Sequence, residues 1–237
     1  MKVLLAFVLL LSVAVPLSAQ VKLQTVGPII GYTTLQVQAR QQLVGRFPVY
    51  LGETDMNHLR LGAFAGVALP VSSLFFRAEL SYVNHSLWGS ARNPDHDPAQ
   101  DGLQWVTTSA IYKYNRLEFA PLLSWQQRHW QVHAGAFAWY RFRDATQRQP
   151  DPHPNRYIFA ELERGIATWV GGYKLGGGLT LGRLHAEVNY SYNLTSLTRP
   201  TLLHQGQSVP FFRLQASSLT YDLRVDLYRR HPLGDSK

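Results

Sequence analysis

The sequence contains no cysteine, few acidic residues and no long apolar segment beyond its first twenty positions. The absence of cysteine excludes disulfide bonds, thiol catalysis, cysteine-ligated metals and a lipoprotein anchor. With 23 basic and 15 acidic residues among 237, the chain carries a formal charge of +8. No later apolar run is long enough for a spanning helix. If the mature chain crosses a membrane, it must therefore do so as a barrel, the other structure that satisfies its backbone there.

The first residues, MKVLLAFVLLLSVAVPLSAQ, have the parts of a secretory signal peptide. Lys2 supplies the positive start, residues 3–15 are apolar, and Ala19 is a small residue at the cleavage position. We therefore predict a signal peptide over 1–19 and a mature domain over 20–237. The alternative, an uncleaved anchor, is disfavoured because the apolar run is shorter than the ~20 residues of a spanning helix. Without Lys2 the chain has 22 basic and 15 acidic residues, a net charge of +7.

That positive charge bears on the partners of an exported protein. It favours attraction to an anionic lipid or lipopolysaccharide surface. Nucleic acid is not an expected partner, because the sequence carries no nucleic-acid-binding motif and an exported protein rarely meets DNA or RNA.

Alternation of apolar and polar residues recurs along the mature chain and predicts strands with two unlike faces. No amphipathic helix is evident. The eight predicted strands are Pro28–Gln38, Arg60–Leu69, Leu74–Trp88, Leu103–Trp125, Trp130–Arg143, Ile166–Leu181, Leu184–Leu194 and Phe211–Tyr228.

The connections between these strands alternate in length without exception. The long ones are Ala39–Leu59, Gly89–Gly102, Asp144–Gly165 and Thr195–Pro210. The short ones are Pro70–Ser73, Gln126–His129 and Gly182-Arg183. Up-and-down outer-membrane barrels have this pattern, with long loops outside and short turns at the periplasmic end, whereas a Greek-key sandwich has no reason to alternate so regularly.

The polar face of each strand indicates which side of the barrel is wet. In the stretch 183–194, RLHAEVNYSYNL, the residues His185, Glu187 and Asn189 alternate with apolar neighbours such as Val188 and Tyr190. Other strands likewise carry ionisable groups at mid-strand. A soluble barrel of lipocalin type would instead bury apolar groups and scatter charge outside. We therefore predict that His185, Glu187 and Asn189 face the interior and that Val188 and Tyr190 face lipid.

Aromatic residues cluster near the strand ends, and several of them suit the interfacial girdles of such a barrel. They are Trp88, Trp105, Trp125, Trp130, Trp139, Tyr140, Tyr190, Tyr192 and Tyr228.

The fourth strand breaks the alternation. Its apolar side holds Tyr112 and Tyr114 in the first part but Leu117 and Phe119 in the second, so the phase changes near Asn115. A β-bulge would produce this change. Alternatively, the first part stands above the membrane, where no face need be apolar.

The same region resembles a known family. Residues 114–140, YNRLEFAPLLSWQQRHWQVHAGAFAWY, are similar to the porin-like outer-membrane β-barrel family of Bacteroidota that includes the PorT proteins. That family often shows Tyr-Leu-Glu-Ile-Pro-Leu-Leu, a short turn, and a strand with Ala-Gly. The matching residues are Leu117, Glu118, Pro121, Leu122, Leu123, Ala134 and Gly135, with Ala120 as one extra residue.

Two further segments resemble the family and extend the likeness over most of the mature chain. Leu59–Tyr82 is similar to its second hairpin, and Val170–Leu197 to its sixth and seventh strands. Leu227-Tyr228 stands where such barrels place their terminal aromatic signal, but nine further residues follow it. The resemblance implies a structural or accessory role, in protein export or cell-envelope maintenance.

The predicted interior carries a set of ionisable residues with nearly balanced charge. They are Arg77, Glu79, Glu118, His133, Arg141, Lys174, His185, Glu187, Asp222, Arg224 and Asp226. An eight-stranded barrel is just wide enough to be filled by side chains. Balanced charges favour a salt-bridged plug over an ion or proton path.

Three other motifs lack the context that their chemistry needs. Asp95-His96-Asp97 lies in a Pro-flanked loop, where adjacent positions rarely converge on one metal ion. His85 and Ser86 point to opposite faces of a strand, which argues against a nucleophile and base, even with Glu79 nearby. Gly171–Gly178 superficially resembles a phosphate loop but lacks the Gly-Lys-Ser/Thr ending and the following helix.

These observations predict an all-β protein, an eight-stranded antiparallel up-and-down transmembrane β-barrel behind a cleavable signal peptide, in the cell outer membrane. We predict a monomer with no enzymatic activity and no catalytic, cofactor-binding or metal-binding residues. The expected partners are outer-membrane lipid and lipopolysaccharide, the barrel assembly machinery and secretion-system components. Two alternatives stay open: a barrel enzyme acting on lipid A or phospholipid, and a soluble lipocalin-like periplasmic ligand carrier.

Overall fold

The structure, a computed structural model, is a closed antiparallel β-barrel. It describes residues 23–37, 40–44, 47–53, 58–70, 73–92, 107–142, 162–204, 207–211 and 213–229. The predicted signal peptide, Trp105 and Asp95-His96-Asp97 lie outside these residues. Within the described part of the chain, no helix is long and apolar enough to cross a membrane.

Thirteen strands are present among the described residues. They are β1 (Leu23–Val37), β2 (Arg40–Val44), β3 (Phe47–Glu53), β4 (His58–Ala68), β5 (Leu74–Arg92), β6 (Thr107–Gln127), β7 (Trp130–Phe142), β8 (Trp169–Leu181), β9 (Leu184–Asn193), β10 (Thr201–His204), β11 (Gln207–Pro210), β12 (Ala216–Val225) and β13 (Tyr228–Arg229).

Eight of these strands form the barrel wall, as the sequence predicted. The ring runs β1, β4, β5, β6, β7, β8, β9, β12, and pairing of β12 with β1 closes it. All the pairings are antiparallel. Three short turns lie at one end, the short-turn end, and the longer connections lie at the other, the long-loop end. Two of these turns have two residues, Arg128-His129 and Gly182-Arg183, and in the second Gly182 takes a positive φ of 65° that glycine adopts at little cost.

Two hairpins lie where the sequence predicted irregular loops. The stretch Ala39–Leu59 contains β2 and β3, and β3 pairs with the upper part of β5 above the end of β4. Its alternating Phe47, Val49 and Leu51 are buried, which explains why this segment forms a strand. Thr195–Pro210 contains the β10–β11 hairpin.

The last predicted strand, Phe211–Tyr228, is shorter in the structure and is interrupted. Ladder pairing with β9 ends at Val225, and Asp226 turns its side chain into the interior. The chain then resumes as the two-residue β13 against β1. The predicted start of the sixth strand is also wrong, because Ile166 makes only an isolated bridge to Thr198 after one helical turn at 162–165.

The fourth barrel strand contains no bulge. Residues of β6 pair with β5 in one continuous register from Trp125–Leu74 to Thr107–Arg92. The even-numbered side chains from Tyr112 to Ser124 are buried, so Tyr112 and Tyr114 point inward like Glu118 and Leu122 below them. The change in apolar phase therefore marks a change in what the interior contains, from charged to apolar, and the bulge interpretation is wrong.

Apolar side chains fill the interior at the long-loop end. This cluster, the apolar cap, joins the tops of the barrel strands to β2, β3 and the later loops. Among its members are Leu35, Val37, Val44, Phe47, Val49, Leu51, Leu87, Tyr112, Tyr114, Trp139, Leu162, Ile166, Val170, Leu197, Phe211 and Leu214. Trp139 is fully buried here, so it is not one of the aromatic residues that could form an interfacial girdle.

The outer face of the barrel is apolar on all eight strands. We call these residues the outer belt: Ile30, Tyr32, Leu59, Leu61, Phe76, Leu80, Tyr82, Leu117, Leu123, Trp130, Val132, Tyr173, Leu175, Leu179, Leu184, Val188, Tyr190, Tyr221 and Leu223. Among the described outward positions of these strands, Arg92 and Lys113 alone are charged, and both lie at the long-loop end.

Glycines in β8 create the space that the interior side chains need. A Cβ on Gly172 would collide with the Tyr192 carbonyl oxygen and meet the Phe137 ring at 2.7 Å, and one on Gly176 would collide with His133 and Asn189. Close packing against bulky neighbours therefore accounts for these two glycines. At the neighbouring Gly171, in contrast, the nearest atom to an added Cβ is the Phe137 carbonyl oxygen at 3.6 Å.

We expect Gly172→Ala to lower the free energy of unfolding by about 1–3 kcal/mol, because the added methyl collides with the Tyr192 carbonyl oxygen and with the Phe137 ring. Gly171→Ala is the matched control one residue away, and it should be neutral or stabilising by up to about 1 kcal/mol. Urea unfolding followed by tryptophan fluorescence measures both. Equal effects of the two substitutions would contradict this account of β8.

Candidate functional site

Ionisable side chains fill the middle of the barrel below the apolar cap. The described residues include five buried basic and five buried acidic ones, which we call the charged layer: Arg60, Arg77, Arg116, Lys174, Arg224, Glu79, Glu118, Glu187, Asp222 and Asp226. Alternation along the strands brings them to one side of the wall, the inside. Because the charges balance, each ion can be compensated by a neighbour and need not be solvated by water.

Glu187 on β9 is the most connected member of the charged layer. Arg77 on β5 donates to both of its carboxylate oxygens, at 2.9 and 3.2 Å. Gln131 and Arg224 donate to the same carboxylate. In the ring of eight strands β5 and β9 stand opposite each other, so the Arg77–Glu187 pair spans the full diameter of the barrel.

A second group of contacts surrounds Glu79. Its Oε2 accepts hydrogen bonds from Arg60 at 3.0 Å and from Lys174 at 2.8 Å. Arg60 also donates to Asp222, whose Oδ2 accepts from the Asn189 amide at 2.8 Å. These contacts connect β4, β5, β8, β9 and β12, so the charged layer crosses the interior in several directions.

The edges of the charged layer meet different surroundings. Towards the apolar cap, Arg116 donates to Glu118 at 3.0 Å and lies over the Trp139 ring, 5.2 Å from its centroid. Towards the short-turn end, His185 Nε2 lies 3.0 Å from Asp226, and its Nδ1 shares a hydrogen bond with Thr180 at 3.1 Å.

The predicted interior set agrees closely with these positions. Of its eleven members only Arg141 is not buried: it is half-buried at the long-loop end, where it donates to the Ile166 carbonyl at 3.0 Å. The predicted faces of 183–194 are also confirmed, since His185, Glu187 and Asn189 are buried while Val188 and Tyr190 are about two-fifths exposed or more. Arg60 and Arg116 belong to the charged layer but were not predicted.

No catalytic or metal-binding arrangement is evident among the described residues. No group of three or more His, Asp or Glu side chains there could hold a metal ion. The His85 ring packs against the rings of His58 and Tyr114, with centroids 4.6 and 5.8 Å away. Ser86 lies on the other face of the strand, so the two residues do not form a nucleophile–base pair. The arrangement is therefore a set of compensating charges.

We expect Arg77→Gln to lower the free energy of unfolding by about 3–5 kcal/mol, because it leaves the Glu187 carboxylate buried with one partner fewer. The control Arg128→Gln changes an exposed turn residue and should stay within about 0.5 kcal/mol. Combined with Glu187→Gln, the effect should be smaller than the sum of the single ones, since both remove the same contact. Urea unfolding of the four variants measures this. A strictly additive result would mean that the two side chains do not interact.

Comparison with known proteins assigns this chain to no family. No family model matches the sequence, and no curated protein matches it. Among solved structures, the NanC porin is similar over 87% of this chain and 100% of that chain, with 9% sequence identity and a TM-score of 0.27. A similarity of this size assigns neither a family nor an activity, so the sequence resemblance to PorT-type barrels stays a hypothesis.

Proposed function

We propose that the protein is an integral outer-membrane β-barrel with a structural or accessory role and without enzymatic activity. One observation carries the proposal: the polarity of the barrel is inverted relative to a water-soluble protein. The outer belt is apolar on every strand, while the middle of the interior holds ten charged side chains. A contiguous apolar surface of this kind on a soluble monomer would promote aggregation, whereas lipid would cover it.

The height of the outer belt fits a bilayer. On β7 the aromatic residues Trp130 and Tyr140 are ten residues apart, near the two ends of the belt. At ~3.3 Å per residue and a strand tilt of ~40°, that separation corresponds to about 25 Å along the barrel axis. Trp130 packs against Trp125 and Tyr140 against Trp169, with ring centroids 4.7 and 4.8 Å apart. Such aromatic pairs suit the two interfacial girdles.

A pore function is disfavoured by contacts across the lumen. The Arg77 and Glu187 side chains meet at 2.9 Å from opposite walls, and the apolar cap lies above them. The same filling argues against a lipocalin-like carrier, which needs an apolar cavity in the middle of the barrel. A barrel enzyme acting on lipid would need a nucleophile with its base, or a metal ion, at the rim, and the described residues include no group of three or more His, Asp or Glu side chains that could hold a metal.

The narrower parts of the proposal rest on the sequence resemblance. Similarity of residues 114–140 to PorT-type barrels supports a role in protein export or envelope maintenance. We further propose that the barrel is a monomer, that the barrel assembly machinery inserts it, and that secretion-system components are its protein partners. Its lipid partners would be the outer-membrane lipids around the belt.

Location in the cell tests this proposal directly. We expect the mature protein in the outer-membrane fraction, and we expect its mobility on a denaturing gel to change when the sample is boiled, because a closed barrel resists detergent. Recovery of the folded protein in the soluble periplasmic fraction would overturn the membrane assignment.

The lipid-facing surface can be tested by placing a charge at two depths of β9. Val188→Arg should lower the free energy of unfolding in lipid vesicles by about 2–4 kcal/mol, because Val188 lies in the middle of the outer belt. Leu194→Arg, just past the end of β9, should cost only about 0–1 kcal/mol near the interface. Urea titration of both refolded variants measures the difference. If Val188→Arg had no effect, the outer belt would be facing water.

A further inference from the structure

A basic cleft opens at the long-loop end, at the rim between β7 and β8. Its volume is about 390 Å³, and it is lined by Tyr140, Arg141, Glu163, Arg164, Thr168 and Arg199. Three arginines against one glutamate give the lining an excess of two positive charges. We call this feature the rim cleft.

Backbone hydrogen bonds hold the walls of the rim cleft in place. The Arg141 amide donates to the Thr168 carbonyl at 2.8 Å, and the Arg199 amide donates to the Gly165 carbonyl at 2.7 Å. Ile166 bridges to Thr198 between these two contacts. Three chain segments that are distant in sequence thus converge on one place. The backbone segments that carry the three arginines are therefore held next to one another by the fold before any ligand arrives.

The rim cleft borders the apolar surface of the barrel. Tyr140 lines it and packs against Trp169, which is 63% exposed on the outer face at the start of β8. A small free anion would contact the arginines alone. A ligand that fills the cleft and also covers this aromatic pair must carry both an anionic group and an apolar part. An amphiphile with a phosphate headgroup has this chemistry, and arginine is well suited to phosphate.

We propose that the rim cleft binds a phosphate group of lipid A in the outer leaflet. This inference rests on the proposed membrane location, with the long-loop end outside. The exposed Arg164 and Arg199 meet the phosphate, the Thr168 hydroxyl donates to it, and the Tyr140–Trp169 pair lies against the first part of the acyl chains. Arg141, held by the Ile166 carbonyl, adds positive charge at the base of the cleft.

Binding of two lipid A forms to the purified full barrel in detergent tests the proposal. Native mass spectrometry would compare bisphosphorylated lipid A with the same lipid after removal of both phosphates, the acyl chains being unchanged. We expect wild-type protein to bind the phosphorylated form about tenfold more tightly. The double variant Arg164→Gln/Arg199→Gln should lose this preference. Both residues are exposed, so the barrel should remain heat-modifiable.

The matched control removes the same number of charges at the other end of the barrel. Arg128→Gln/Arg183→Gln changes two exposed turn residues at the short-turn end and should keep the wild-type preference. A competition with a large molar excess of inorganic phosphate separates the two sources of the anion. Lipid A should stay bound, because inorganic phosphate has no acyl chains and therefore lacks their contribution to the binding free energy.

Three outcomes would overturn the inference: equal binding of the two lipid A forms by wild-type protein, an unchanged preference in the Arg164/Arg199 variant, or full displacement by inorganic phosphate. Any of them, in a protein that still fractionates with the outer membrane, would remove the lipid A site and leave the proposed function intact. Recovery of the protein from the soluble periplasm would instead remove the proposed function, and the inference with it.

Discussion

The Glu187 carboxylate accepts hydrogen bonds from Arg77, Gln131 and Arg224, which stand on three different strands of the barrel. A carboxylate enclosed in this way has no access to bulk water, so its charge must be compensated by side chains. Other features of the interior follow from that requirement. Acidic and basic residues occur in equal number among the described members of the charged layer. Gly178 on the neighbouring strand leaves room for this residue, because a Cβ there would collide with the Ala186 carbonyl oxygen and come within 2.8 Å of Glu187.

The interior is divided along the barrel axis into two layers of opposite character. Charged side chains occupy the middle, where the outside of the wall is apolar, and apolar side chains occupy the long-loop end. Arg116 lies at the boundary, paired with Glu118 on one side and stacked on Trp139 on the other. The apolar cap extends beyond the barrel proper because β3 continues the wall along β5. The rim cleft lies on the outer edge of this upper layer, where polar groups can again reach solvent.

Sequence alternation predicted the ring of eight strands and most of the charged layer, because a period of two assigns every residue of a strand to a face. The sequence does not predict that Arg60 belongs to the charged layer, because the inward positions that follow it in β4 are Gly62, Phe64 and Gly66, which do not form a polar face. The sequence also does not predict that Tyr112, Tyr114 and Trp139 face inward. These residues are apolar, and the rule that inward side chains are polar does not hold above the charged layer.

The hairpins β2–β3 and β10–β11 could not be found from alternation alone. Each is short, and the burial of Val49 and Leu51 depends on contact with β5, which is distant in the chain. The rim cleft likewise could not be predicted from the sequence, because Arg141, Arg164 and Arg199 come together only through the Ile166–Thr198 bridge. The alternation within a strand predicts on which face of that strand each side chain lies. It does not predict which segments of the chain come into contact.

The pairing across the lumen also has a consequence for how the barrel assembles. Arg77 and Glu187 are 110 residues apart, and Arg60 and Asp222 are 162 residues apart. A partly formed sheet that contains one member of each pair would carry uncompensated ions and an open hydrogen-bonding edge. Both defects disappear together when β12 meets β1. Closure of the barrel should therefore be a single cooperative event that waits for the last strand, and not a gradual strand-by-strand process.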